Sequence, residues 1–190
     1  MFKSSKINPK MASSVVRKDV FMSDKRYDRI EEGIRKSYPN SCILWIEEII
    51  NPELEELYKM QKAEIEAKRG KLCKEMELYH GTKEEAANNI IREGFDPERN
   101  YRAAYGKGTY FAKNASYSRD YAPPASDQIS FMLICSVLVG EIGQYGSLKH
   151  IDTKVYDNSV DNSKSPSIYV TPYQYGAIPR FIVAFHRNAK

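Results

Sequence analysis

The segment Glu75-Met76-Glu77-Leu78-Tyr79-His80-Gly81-Thr82 is the strongest local signal in the chain. Its first part, Glu75 to Tyr79, predicts a short β-strand that delivers His80 at its end. The following residues, Thr82-Lys83-Glu84-Glu85, match a capping box and predict a helix that ends at Gly94. A strand, a histidine and a helix therefore follow one another, an order that places a reactive side chain at the end of a strand.

A second segment, Gly106-Lys107-Gly108, leads into a predicted strand over Thr109 to Ala112 and a short helix over Asn114 to Tyr121. The glycines superficially resemble a phosphate-binding loop, but the spacing G-x-x-x-x-G-K-[ST] and a long following helix are missing. The Rossmann pattern G-x-G-x-x-G is missing as well. Any dinucleotide that binds this chain must therefore bind in a different geometry.

The rest of the chain predicts several strands and one more helix. Asn51 and Pro52 form a helix start, with Gly70 as its terminator. Further strands are expected at Cys42 to Ile50, Phe131 to Val139, Ser167 to Thr171 and Arg180 to His186. Because strands and helices do not alternate regularly, the pattern indicates an α+β domain with a mainly antiparallel sheet.

Composition limits the chain to one domain of ordinary size. The 190 residues are 42% hydrophobic and 28% charged, which is normal for a soluble protein. The longest apolar run, Phe131 to Val139, is far shorter than the roughly 20 residues of a transmembrane helix. The net charge of +4 is spread over the sequence, so neither a nucleic-acid partner nor a membrane is indicated, and a monomer is expected.

The cysteines and histidines argue against a disulfide framework and against a metal site. Cys42, Cys73 and Cys135 are odd in number and far apart, and only three histidines are present. No continuous apolar segment typical of a secretory signal occurs near the start. We therefore expect an intracellular protein, cytoplasmic or nuclear, that carries no metal.

Residues 1–36 are predicted to form a flexible basic extension. They are polar, rich in Lys, Arg and Ser, and short of apolar residues before Val15. Asp19 and Asp24 argue against a mitochondrial transit peptide. The folded domain is accordingly assigned to residues 37–190.

Tyrosine is unusually frequent around His80 and the glycines. Flat rings on both sides of a slot would bind a heteroaromatic ligand by stacking and by burial of area. Tyrosine also fills half-buried strand positions in ordinary packing, and composition alone leaves both interpretations open. The residues concerned are Tyr79, Tyr101, Tyr105, Tyr110, Tyr117 and Tyr121.

Four segments, in order and spacing, resemble the catalytic domain of the poly(ADP-ribose) polymerase family. They are His80-Gly81-Thr82, the run Gly106 to Ala112, Ser118 with Tyr121, and Ser165-Pro166-Ser167-Ile168-Tyr169-Val170. The resemblance extends from about Cys42 to Phe185 and is closest to the branch that transfers a single ADP-ribose. It implies that residues 37–190 adopt the diphtheria-toxin-like ADP-ribosyltransferase fold, with a split antiparallel sheet and NAD as co-substrate.

The resemblance also assigns roles in holding NAD. His80 would donate a hydrogen bond to a ribose hydroxyl, and the backbone of Gly81 would pair with the nicotinamide carboxamide. The Ser118 hydroxyl would bind the same amide. Tyr121 would stack on the pyridinium ring, and Tyr110 would line the slot beside it.

Three neighbours of these residues complete the NAD site that the resemblance implies. Thr82 would reach towards the adenosine side, although its predicted capping role already accounts for a threonine there. The other two members of the implied site are Phe111 and Ala112.

The family's catalytic triad falls on His80, Tyr110 and Ile168 in this sequence. Members that build chains carry a glutamate at the third position, where it activates the incoming ADP-ribose hydroxyl. An isoleucine cannot accept a hydrogen bond, so the resemblance implies transfer of one ADP-ribose to a protein acceptor. The alternatives are a silent NAD-binding or interaction module and an NAD glycohydrolase, and the sequence leaves both open.

Overall fold

The computed structural model describes residues 15–99, 103–125, 127–146 and 149–187. Within them the chain forms nine strands, four α-helices and a 3-10 turn at Pro97–Arg99. The helices are α1 (Lys25–Arg35), α2 (Pro52–Arg69), α3 (Glu84–Glu93) and α4 (Ala115–Arg119). The strands are β1 (Val16–Asp19), β2 (Cys42–Ile50), β3 (Lys74–Thr82), β4 (Thr109–Ala112), β5 (Ile129–Val139), β6 (Ile142–Gly143), β7 (Asn158–Val160), β8 (Ile168–Thr171) and β9 (Ala177–His186).

The strands form one sheet in the order β1-β2-β9-β5-β3-β4-β8-β7-β6. All neighbouring pairs are antiparallel except β6 and β7, which are parallel. The α+β class and the mainly antiparallel sheet predicted from the sequence are confirmed.

The sheet is nearly divided between β3 and β4. These strands share one register pair, Tyr79 with Ala112, whereas β3 pairs with β5 along its whole length. Past Tyr79, β3 therefore has a neighbour on the β5 side only, as far as the described residues go. This gap is the split that the family resemblance implied, and it opens at the His80-Gly81-Thr82 segment.

Both faces of the central strands are buried. Alternate residues of β5 point to opposite sides, so Leu133 packs in a cluster with Ile91 of α3, and Met132 packs in another with Ile30 of α1. Helix α2 covers the far end of the sheet through Leu54 and two further apolar residues, Tyr58 and Ile65. The sheet is thus held rigidly between helices, and its two strand ends at the split are fixed in place.

Most predicted elements lie where the sequence indicated. Strand β2 and strand β4 have the predicted bounds. The Asn51 side chain accepts a hydrogen bond from the Leu54 N–H at 3.1 Å and caps α2, which ends at Gly70 in the left-handed region. In the described residues, each helix is too short or too polar to traverse a lipid bilayer.

The predicted capping box at Thr82 is wrong. The residue that precedes α3 is Lys83, and no side-chain hydrogen bond caps the helix there. Thr82 is instead the last residue of β3 and pairs with Phe131 of β5. Because the strand ladder extends to Thr82, this residue is not available to cap the helix, and its side chain faces the cavity described below.

The predicted boundary between extension and domain also differs from the structure. Strand β1 and helix α1 lie inside the segment 1–36, and α1 buries Tyr27, Ile30 and Ile34 against the sheet. The Asp24 side chain caps α1 through the Arg26 N–H at 2.8 Å. The domain therefore includes residues 16–36, while residues 1–14 of the predicted extension lie outside the described residues.

Candidate active site

A cavity of about 810 Å³ opens at the split in the sheet. Its walls come from the end of β3, from β4, from helices α3 and α4, and from the segment that follows α3. All eight residues predicted to bind NAD line it directly, together with several that were not predicted, among them Thr109. The eight are His80, Gly81, Thr82, Tyr110, Phe111, Ala112, Ser118 and Tyr121.

His80 is held from three sides at the end of β3. Its Nδ1 lies 2.8 Å from the carbonyl oxygen of Tyr110. Its ring meets Phe95 edge-on at 5.2 Å between centroids and packs against Phe111 at 5.6 Å. These contacts leave the imidazole one orientation, with Nε2 as its remaining polar atom.

The protonation of His80 follows from these contacts. A carbonyl oxygen can only accept, so Nδ1 carries the proton and donates. Burial lowers the pKa of the imidazole below its ordinary value of 6.5, and the bond to the Tyr110 carbonyl opposes this shift without cancelling it. Near neutral pH the ring is neutral, and Nε2 is an acceptor. A ribose hydroxyl would therefore donate to His80, which reverses the direction of the hydrogen bond expected from the sequence.

Gly81 is a glycine because helix α4 lies directly against it. A Cβ built at this position would lie 1.7 Å from the carbonyl oxygen of Ser118 and 2.7 Å from its carbonyl carbon. The sequence argument attributed the glycine to access for a ligand, and the structure adds a packing reason. The same close approach brings the buried Ser118 beside the Gly81 backbone, as the predicted carboxamide site requires.

Tyr110 ties β4 to the glycine segment that precedes it. Its hydroxyl accepts from the Tyr105 N–H at 2.8 Å and donates to the Gly106 carbonyl at 2.8 Å. Gly108 adopts a φ of +151°, and a Cβ there would lie 2.4 Å from the carbonyl oxygen of Thr171. The glycine segment is thus clamped, and the Tyr110 ring is presented to the cavity in a fixed position.

Two tyrosines of α4 and the turn after it form an aromatic wall. The rings of Tyr117 and Tyr121 lie 5.2 Å apart at 36°, and their hydroxyls are 3.1 Å apart. Tyr121 is 58% exposed, so much of its ring is open to a ligand or to solvent. Of the tyrosines noted in the sequence, Tyr105 and Tyr117 also line the cavity, whereas Tyr101 lies outside the described residues.

Ile168 lies behind the cavity wall rather than in it. It is 3% exposed and packs in an apolar cluster with Ala112, Ile151 and Val170. Its register partner on β4 is Ala112, which does line the cavity. The side chain is therefore adjacent to the site and adds no polar group to it.

The end of the cavity near α3 is polar, and the sequence did not single it out. Glu93, Asp96, Arg99 and Asn89 line this end. Arg99 is the one cationic side chain among the lining residues that the structure describes, and its Nε donates to Asp96 at 3.0 Å. No local pattern predicts this group, since it depends on how the segment after α3 folds back over the sheet. Among the described residues, no group of three or more His, Cys, Asp or Glu side chains is placed to hold a metal ion.

The model of the poly(ADP-ribose) polymerase catalytic domain matches residues 24–170 of the sequence. The chain belongs to this family. The match begins inside the segment assigned to a flexible extension, in agreement with the position of α1. Membership of this family accounts for the split sheet and for the placement of His80, Gly81 and Tyr110 around one cavity.

Relatives from this family are similar over most of the chain. The human protein mono-ADP-ribosyltransferase PARP14 is 32% identical over 184 residues, which cover 89% of this chain and 10% of the relative. Human protein mono-ADP-ribosyltransferase PARP12 is 27% identical, covering 88% of this chain and 25% of the relative. Mouse protein mono-ADP-ribosyltransferase PARP10 is 32% identical, covering 74% and 16%. The chain thus spans a quarter or less of the length of these relatives.

Proposed function

We propose that this chain is an NAD-dependent protein mono-ADP-ribosyltransferase that transfers one ADP-ribose to a protein side chain and releases nicotinamide. The observation that carries the proposal is the meeting of His80, Gly81 and Ser118 in one cavity with Tyr110 and Tyr121 on its walls. These protein groups are chemically complementary to the ring, the carboxamide and the ribose of nicotinamide riboside. An aromatic slot suits the cationic ring, and backbone and hydroxyl groups suit the carboxamide.

The chemistry follows from how these residues would hold NAD. Gly81 and Ser118 fix the carboxamide, Tyr121 stacks on the ring, and Tyr110 lines the slot beside it. The Nε2 of His80 accepts a hydrogen bond from a ribose hydroxyl, which fixes the sugar and increases the electron density on that oxygen as positive charge develops on the ribose. The bond between ribose C1 and the pyridinium nitrogen breaks, its electron pair stays with nicotinamide, and the acceptor attacks C1 of the oxocarbenium-like sugar.

The product is one ADP-ribose because position 168 offers no general base. A hydroxyl of a bound ADP-ribose must lose its proton on attack, and the buried Ile168 cannot take it. An acceptor carboxylate is already deprotonated at neutral pH and needs no such base. We therefore propose Asp or Glu side chains as acceptors. The relatives PARP14, PARP12 and PARP10 are all named protein mono-ADP-ribosyltransferases, which supports the single transfer.

Incubation of the purified chain with NAD and a candidate acceptor protein tests the proposal. Nicotinamide release is followed by chromatography, and mass increments on both proteins are followed by mass spectrometry. We expect nicotinamide and single ADP-ribose increments in equal amounts. Nicotinamide without increments would indicate an NAD glycohydrolase, and neither signal would indicate a silent binding module. Increments found on side chains other than Asp and Glu would contradict the proposed acceptor class.

Three variants distinguish a loss of catalysis at the active site from a general loss of the folded structure. His80→Ala and Tyr110→Ala are expected to lose at least about 100-fold in turnover, as removal of a transition-state contact does. The matched control is His186→Ala, since His186 ends β9 away from the cavity. The melting temperatures of His80→Ala and His186→Ala should stay close to that of the unmodified chain, whereas Tyr110→Ala should melt lower because it also loses the bonds to Tyr105 and Gly106. Equal losses in His80→Ala and His186→Ala would argue against an active site at the split.

We also propose an intracellular location. The support comes from the cysteines, because Cys42, Cys73 and Cys135 are all free thiols, and thiols stay reduced in the cytosol and nucleus. Fractionation of cells that express the protein, with antibodies against compartment markers, tests this. Recovery of the protein from the secreted fraction would contradict it.

A further inference from the structure

Three buried hydroxyl oxygens, on Ser41, Thr109 and Ser130, have no hydrogen-bond partner within the described part of the chain. A buried hydroxyl without a partner is unfavourable, because it has lost water and gained nothing in exchange. Of the three, only Thr109 lines the cavity. Thr109 is therefore the residue on the cavity wall that carries an unpartnered hydroxyl.

The position of Thr109 in β4 fixes which part of the cavity it faces. Successive side chains of a strand point to opposite faces, so Thr109 shares a face with Phe111 and not with Tyr110. Phe111 packs against Phe95 at 5.0 Å and against His80. Thr109 thus points to the side of the sheet that α3 and the Phe95 segment cover, which is the polar end of the cavity.

The residues proposed to bind nicotinamide lie in a different part of the cavity from Thr109. Gly81 and Ser118 meet where α4 approaches the end of β3, and Tyr110 points to the other face of β4. A molecule of NAD with its carboxamide at Gly81 would have to extend its remaining part along the cavity, towards α3. That part is the ADP-ribose, which carries ribose hydroxyls and two phosphates.

We propose that the Thr109 hydroxyl binds the ADP-ribose portion of NAD through a ribose hydroxyl or phosphate oxygen. The inference rests on the proposed use of NAD and adds a substrate-binding residue to that site. A threonine hydroxyl both donates and accepts, so it suits either group. Its Oγ1 is fully buried and Thr109 as a whole is 6% exposed, so contact with a ligand requires rotation about χ1, which exchanges Oγ1 with the methyl group.

Thr109→Val is the decisive variant. Valine keeps the β-branched shape and removes the hydroxyl, so the strand should stay intact. Because the hydroxyl has no protein partner, the melting temperature of the variant should be equal to or higher than that of the unmodified chain. Binding of ADP-ribose, measured by calorimetry, should weaken about fivefold, the worth of one typical hydrogen bond. Inhibition by nicotinamide should not change.

Two further variants control the result. Ser130→Ala removes another unpartnered buried hydroxyl, outside the cavity, and should leave binding of both ligands unchanged. Thr109→Ser keeps the hydroxyl and should bind ADP-ribose more tightly than Thr109→Val. In turnover assays, Thr109→Val should raise KM for NAD more than it lowers kcat.

Several outcomes would overturn the inference. Unchanged ADP-ribose binding in Thr109→Val would show that the hydroxyl does not contact this part of NAD. Equal weakening of ADP-ribose and nicotinamide would indicate a general disturbance of the site, and a clear drop in melting temperature would indicate a structural partner. If the unmodified chain bound neither NAD nor ADP-ribose, the proposed function would fail first and this inference with it.

Discussion

The main-chain carbonyl of Tyr110 accepts the Nδ1 proton of His80 at 2.8 Å. The orientation and the tautomer of the imidazole are therefore set by backbone, and a side-chain substitution at position 110 leaves this bond possible. The hydroxyl of the same tyrosine holds the glycine segment through Tyr105 and Gly106. One residue of β4 thus holds both the histidine and the glycine segment in place.

The pH dependence of turnover should reflect the neutral state of His80. Burial lowers the pKa of His80 below 6.5, so more than half of the molecules keep a neutral imidazole at pH 6.5. The neutral form is present above the folded-state pKa and is lost as the pH falls through it. The kcat/KM for NAD, measured between about pH 5 and 8, should therefore exceed half of its plateau value at pH 6.5 and reach half only at a lower pH. A half-maximal value at or above pH 6.5 would contradict this.

Gly81→Ala should disrupt both packing and substrate binding. The added methyl group would collide with the Ser118 carbonyl, so α4 must move away from β3. We expect a loss of about 1–3 kcal/mol in the free energy of unfolding, together with loss of nicotinamide binding. Chemical denaturation and nicotinamide inhibition measure the two effects. The control is Gly146→Ala, where the nearest atom to a new Cβ is Lys149 Cε at 3.9 Å, and no change is expected.

Ile168→Glu should not convert the chain into one that builds polymers. The carboxylate would enter the apolar cluster of Ala112, Ile151 and Val170, at a cost of about 3 kcal/mol or more in stability. Ile168→Val, the control, should cost about 1 kcal/mol and retain single transfer. Thermal unfolding gives the stability, and mass spectrometry of modified acceptors gives the number of units per site. Serial ADP-ribose units at one site in Ile168→Glu would refute the expectation.

Asp157 should act as a charged link between α2 and the β6–β8 half of the sheet. Its buried carboxylate accepts from Lys68 at 2.6 Å, Arg69 at 2.9 Å and the Tyr173 hydroxyl at 3.0 Å. Burial would raise the pKa of Asp157, but the hydrogen bonds lower it from 3.8 to about 2. The corresponding stability, roughly 2 kcal/mol, is present above pH 3.8 and is lost as the pH falls towards 2.

Asp157→Asn is the variant that checks this link. It leaves two cations beside a buried neutral amide and should lower the free energy of unfolding in urea by about 3 kcal/mol at pH 7. The exposed control Asp127→Asn keeps the acceptor for the Ile129 N–H and should change stability by no more than about 0.5 kcal/mol. Similar unfolding energies for the two variants would mean that the Asp157 cluster does not stabilise the fold.

The sequence was sufficient where local chemistry determines structure. Asn51 and Pro52 start α2, and Gly70 ends it, because caps and termini depend on a few adjacent residues. Thr82 shows the limit, since its pairing with Phe131 depends on a strand almost fifty residues away. Helix α1 was missed although Tyr27, Ile30 and Ile34 follow helical spacing, because the charged residues around them dominate the composition.

The candidate site was predictable only in its motif residues. His80, Gly81, Tyr110 and Ser118 were found through their order in the chain, and the structure brings them together. The Arg99–Asp96 pair and the clamp by the Tyr110 hydroxyl depend on how separate loops meet. The hydroxyl of Thr109 is notable only because nothing in the described fold satisfies it.

The single register pair between β3 and β4 has a consequence for how a ligand is recognised. In an antiparallel ladder, every second residue directs its N–H and C=O away from a given neighbour. Along residues 80–82 that outward side has no strand in the described chain, so the main chain itself offers hydrogen bonds to whatever enters the gap. A substrate there takes the place of a missing strand. A side-chain exchange leaves these main-chain groups in place unless it removes an N–H, as proline does, or displaces a neighbouring element, as Gly81→Ala does. Resistance to a compound that uses them would therefore have to arise chiefly elsewhere in the cavity.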